Sequence, residues 1–136
     1  MKNGLVVLFL VALFTNCSSS SEDMQTEFEM EQEMEETIVS KGSFVSGAHV
    51  TSGNVAVSSD GKQLNFTNFK TDNGPKLLVY LTTNVGSSDF VSLGDLKGIQ
   101  GNYTYAIPSN TDISKYKIVD IWCVDFSVSF GHAELK

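Results

Sequence analysis

From Ser40 to the end of the chain, no stretch longer than about ten residues carries a clean helical period. Short β-branched or aromatic runs alternate instead with turn clusters, and ten of the eleven glycines and both prolines fall in this part. A segment so punctuated cannot build long helices, so the reading is all-β, an antiparallel sandwich of about seven or eight short strands over 40–136. "KGSFVSG" supplies a first strand. In "GNVAVSSDGKQLNFTNF" Val55 and Val57 share one side and Leu64 and Phe66 alternate likewise, with Asp60-Gly61 suited to a type I′ hairpin turn. "TDNGP" forces a turn, "KLLVYLTT" is too continuously apolar for a wet face and is placed centrally, "LGDLKGIQG" reads as loop, and "NYTYAIP" is a strand stopped by Pro108. A core of this size holds without disulfides.

The first residues do not belong to that domain. Lys2 followed by the apolar run Leu5 to Phe14 has the layout of a secretory signal over residues 1–16, and the run is too short to span a bilayer in a mature chain. "LFTNC" resembles a bacterial lipobox, which makes Cys17 the expected lipidation site, although Asn16 stands where Gly or Ala is usual. Residues 17–39 are expected to form a flexible, disordered acidic tether. The tether resembles the surface-export signals of Bacteroidetes lipoproteins. The implied location is the cell envelope, as an outer-membrane lipoprotein exposed at the surface, with the membrane as partner through a multiply acylated anchor.

The net charge of −7 belongs to this tether. Eight acidic residues and no basic one lie between Glu22 and Glu36, whereas from Lys41 onward eight lysines balance eight carboxylates. Such a run extends and stays solvated. There is no arginine, and the lysines are scattered singly, which excludes a nucleic-acid groove. Hydrolase elbows, phosphate-binding loops, HExxH and EF-hand patterns are all missing, so a stand-alone enzyme is not indicated.

"IVDIWCVDFSVSFG", Ile118 to Gly131, holds the only tryptophan and, if Cys17 is lipidated, the only free thiol, Cys123. As one regular strand it puts Trp122, Val124, Phe126, Val128 and Phe130 on the core side, and Ile121, Cys123, Asp125, Ser127 and Ser129 on the other. The thiol would then sit at the rim, reachable, beside Trp122 as its packing partner. A bulge near Asp120 or Asp125 would turn it inward. Asp120 and Asp125 would favour the protonated thiol, leaving it reachable but not activated. The plainer alternative is a small hydrophobe packed beside the indole.

"GSFVSGAHVTSGNVAV", "LNFTNFKTDNGPKLLVYL", "LGDLKGIQGNYTYAIP" and "YKIVDIWCVDFSVSFGHAEL" together resemble the DM13 domain over Lys41 to Leu135. The resemblance implies a β-rich extracellular domain that takes part in electron transfer. It also implies that the cysteine at position 123 acts as a bare thiol or holds a prosthetic group such as haem. No CxxCH occurs and all four methionines lie at or before Met34, so covalent haem attachment and a methionine axial ligand in the domain are excluded. Cys123, His49 and His132 could supply three corners of a metal site, though nothing in their spacing says that they converge. Two functions stand open. One is an envelope redox module using Cys123 as thiol or as ligand to haem or metal, exchanging electrons with a redox protein. The other is a surface binding or adhesion module in which Cys123 is structural and a loop, Thr71 to Pro75 or Leu93 to Gly101, contacts a ligand.

Overall fold

The computed structural model describes residues 38–136. The signal segment, Cys17 and most of the acidic tether lie outside the described residues. All regular elements described are strands: β1 (Ile38–Ser46), β2 (Ser52–Ser58), β3 (Gln63–Lys70), β4 (Leu77–Thr82), β5 (Phe90–Asp95), β6 (Gln100–Ala106), β7 (Ile118–Cys123) and β8 (Val128–Glu134). They form one antiparallel sheet of order β5-β4-β7-β8-β1-β2-β3-β6. β1 changes partner along its length. Its first part, to Ser43, pairs with β2, and Phe44 to Ser46 pair with β8. The sheet therefore folds over itself at β1, with β2, β3 and β6 on one side and β8, β7, β4 and β5 on the other. The all-β sandwich expected from the turn-punctuated sequence is the fold observed.

The fold buries one face of each half. Phe66 stands 5.0 Å from the rings of Phe44, Phe69 and Tyr105, and Val79, Leu81, Val119, Ile121 and Cys123 meet that aromatic cluster from the other half. The β5–β6 connector closes the open side. Leu96 donates its N–H to Leu77 O at 2.9 Å, Lys97 donates its N–H to the Tyr105 hydroxyl at 2.9 Å, and Ile99 O accepts from Thr71 N at 2.9 Å. The segment expected to be loop from Leu93 to Gly101 is thus mostly strand, with only 96–99 left between β5 and β6.

Two local expectations change. Gly61 alone takes positive φ, at 70°, in the β2–β3 turn. Its N–H donates to Ser58 O at 2.9 Å, so the turn is not type I′. Asp60 holds it by accepting from Ser58 Oγ at 2.6 Å and Lys62 N at 3.0 Å. More consequentially, Ile118 to Gly131 is not one strand but a hairpin, turning at Val124–Ser127 with Ser127 at φ 51°. β7 stops because its neighbour does: Cys123 lies opposite Leu77, the first residue of β4, and Pro75 just before it cannot extend a ladder. Val124 and Phe126, assigned to the core by alternation, are 36% and 61% exposed.

Candidate functional site

Once β7 ends at Cys123, the core face of the strand is set by Val119, Ile121 and Cys123, each 0% exposed. The thiol expected at the rim is therefore sealed inside. Its cross-strand neighbours are Leu77 and Val128, and no cysteine among the described residues pairs with it. The alternation holds as far as Cys123, but Val124 and Phe126, which suggest the opposite core face, belong to the turn. No bulge before Cys123 was needed for the inversion. Trp122, expected to pack beside the sulfur, lies half-buried on the opposite face of β7.

The imidazoles are placed elsewhere. His49 Nδ1 donates to Asp72 Oδ2 at 2.9 Å, and its ring lies 3.8 Å from that of Phe130. This arrangement rests on an irregularity in β8: Trp122 pairs with Ser129 but Ile121 pairs with Gly131, leaving Phe130 as an extra residue. The freed Phe130 carbonyl accepts from Gly47 N at 2.8 Å, His49 N at 3.2 Å and Thr51 Oγ1 at 3.0 Å, which pins the 47–51 segment over it. Gly131 has to be glycine here, since a Cβ would fall 2.4 Å from Thr51 Cβ. His132 stands on the outer face of β8, opposite Asp120, with a buried Nδ1 that has no hydrogen-bond partner. Cys123, His49 and His132 thus occupy three separate surroundings. No group of three or more His, Cys, Asp or Glu side chains able to hold a metal occurs among the described residues. A haem iron or metal does not fit at a sulfur with no open side.

What the structure assembles instead is on the outer face of β4 and β7. Asp120 is 1% exposed, an uncommon fate for a carboxylate. Its Oδ1 accepts from Ser129 Oγ at 2.5 Å and its Oδ2 from Gly86 N at 3.2 Å, so strand β8 and the 83–89 loop both close over it. Tyr80 is its cross-strand neighbour on β4, and Trp122 follows on the same face. With Thr82, Phe90 and Gly86 to Ser88 these residues line a depression of about 230 Å³. Burial pushes the Asp120 carboxyl above its ordinary value of 3.8, against the lowering effect of its two hydrogen bonds and of nearby His132. Burial also raises the Tyr80 phenol, helped by Asp120. The sequence signal for this site is one aspartate inside the apolar run "KIVDIWC", which by itself names no partner for the carboxylate.

The Asp120 shift has a consequence for stability. Between 3.8 and the raised folded value, the native chain keeps a proton that the unfolded chain releases. Stability therefore falls as pH rises through that window and remains lower above it. Asp60, Asp89 and Asp112 act oppositely and below 3.8. Their carboxyls are lowered chiefly by hydroxyls of Ser58, Tyr116 and Ser114, so their contribution is lost as pH drops through the lowered values. Denaturation midpoints measured from about pH 4 to 8 are expected to lose their downward slope in Asp120→Asn. The variant's lost acceptor shifts the curve without restoring the slope, and an unchanged slope would place the titration elsewhere.

A second concavity, of about 540 Å³, separates the 73–77 turn from Asp95 to Ile99. It brings together the two loops singled out for a binding role. Residues 43–135 of the chain match a family model described as "Electron transfer DM13". No curated protein and no solved structure matches the chain.

Proposed function

Because this chain belongs to the DM13 electron-transfer family, we propose that its domain is an extracytoplasmic electron-transfer module whose redox behaviour depends on Cys123, held at the cell envelope through lipidated Cys17. The family match carries this reading: it runs from the middle of β1 to the end of β8 and includes Cys123. The burial of the sulfur favours the thiol version over the ligand version. A cysteine at 0% exposure offers no position to an iron, yet the same burial shields a free thiol from over-oxidation in an oxidising compartment.

A second reading is favoured by the same burial. Packed between Leu77 and Val128, Cys123 behaves as a small core hydrophobe. The domain would then be a surface binding module using the cleft between the 73–77 turn and the β5–β6 connector.

Absorbance and protein-film voltammetry of the purified full chain, beside Cys123→Ala, separate the two. Alanine is the better replacement because serine would bury a hydroxyl at a cost of about 1–3 kcal/mol. The redox reading expects a signal in the wild type that disappears in a folded Cys123→Ala chain. A signal untouched by the substitution removes Cys123 from the account, and a silent wild type leaves the binding module. Fractionation of Cys17→Ala, expected to leave the membrane, checks the anchor.

A further inference from the structure

The depression over Asp120 has a chemistry of its own. Two of its walls, Tyr80 and Phe90, stack with centroids 4.0 Å apart at 15°, and Phe90 remains 40% exposed. Trp122 lines it as well, and Gly86 lies over the indole, where a Cβ would be 3.6 Å from the ring. Aromatic faces carry the negative part of the ring quadrupole and attract cations. Beneath them lies a carboxylate at 1% exposure. The salt bridges among the described residues join His49 to Asp72, Lys115 to Asp89 and Lys136 to Glu134, and none reaches Asp120. The imidazole of His132, opposite on β8, is a favourable charge nearby, yet it does not bring the carboxyl back to its ordinary value, and the field of a buried carboxylate extends far in a low-dielectric setting.

The other lining groups narrow the ligand. The one hydroxyl proton of Thr82 is shared between Asn84 O at 2.9 Å and Asp89 O at 3.1 Å. The hydroxyl of Ser87 accepts from Thr83 Oγ1 at 3.2 Å and from Asp89 N at 3.0 Å. Both hydroxyls are engaged by the loop, and the walls around them are largely aromatic. An anion is opposed by Asp120, and a bare metal ion lacks a ligand set among the described residues.

We propose that this cup binds a small organic ammonium ion, held against the indole of Trp122 and an outer face of the stacked Tyr80–Phe90 pair and by the field of the buried Asp120 carboxylate. The site is separate from the redox reading of Cys123, which faces the other side of β7, and either can fail alone.

Trp122 is the only tryptophan of the chain, so its fluorescence reports on the cup directly. The full chain is titrated with choline chloride and, in parallel at equal ionic strength, with dimethylbutanol, in which carbon replaces the charged nitrogen. A saturable change with choline and none with the carbon analogue or with sodium chloride is expected. Asp120→Asn should weaken choline about tenfold, and Phe90→Ala, at an exposed position that tolerates truncation, by a similar factor. An equal response to the neutral analogue, no saturable response to choline, or undiminished binding in the variants overturns the proposal. Should Asp120→Asn fail to fold, Phe90→Ala decides.

Discussion

In native buffer, Cys123 is expected to react with a small thiol reagent at least about a thousandfold more slowly than in denaturant. The sulfur is 0% exposed, and strands β4 and β8 pair on both sides of β7. A reagent has to wait for an opening that separates these strands. Local openings of core strands approach the global unfolding free energy, and about 4 kcal/mol already gives a thousandfold protection. Labelling should therefore speed up with denaturant in step with unfolding. Native labelling within tenfold of the unfolded rate would mean that the sulfur is reachable after all, and would revive the ligand version of the redox reading. The measurement bears directly on function, because it distinguishes a thiol that meets partners from one that is only carried inside.

The second large effect concerns the core. Phe66→Ala is expected to cost about 3–5 kcal/mol, a large share of the roughly 5–15 kcal/mol that holds a typical domain together. Phe66 is 2% exposed and contacts Phe44, Phe69 and Tyr105 at ring separations of 5.0 Å. It joins β1, β3 and β6, so no single neighbour can collapse into the space it leaves. Each aromatic pair adds about 0.5–1.5 kcal/mol beyond the area it buries. Urea denaturation followed by circular dichroism measures the loss. A cost below about 1.5 kcal/mol would show that the rings repack and that the two halves of the sheet are not held together at this point.

How far the site was readable depended on which residues carried it. Val55, Val57, Leu64 and Phe66 alternate in short strands with clear turns between them, and all four are buried as their spacing indicates. The Ile118–Gly131 run has equally clean alternation but contains no glycine or proline before Gly131 to announce its turn. Alternation states which residues share a face; it does not state which face is wet. Trp122, Val124 and Phe126 point to the face opposite Cys123 as the core side, yet Val124 and Phe126 are exposed in the turn and Cys123 is buried, while Phe130 is buried as its spacing indicates.

The Asp120 site was harder still. Its parts come from β4, β5, β7, β8 and the 83–89 loop, and its carboxylate is tied to Ser129 on the next strand and to Gly86, far away in the chain. A sequence can show that a charge sits within an apolar strand. It cannot show which loop will cover it, because the covering is decided by strand order.

From the chain alone came the all-β class, the concentration of acidity ahead of the domain, the family, and the absence of a second cysteine partner within 40–136. These follow from local chemistry: side-chain period, turn residues and composition act over a few neighbouring positions. Tertiary structure decided that Cys123 faces inward, that His49 and His132 stand apart from it, and that Asp120 lies under an aromatic cup. Those outcomes depend on where β4 begins and on β1 exchanging partners midway, and both are set by packing between strands distant in sequence.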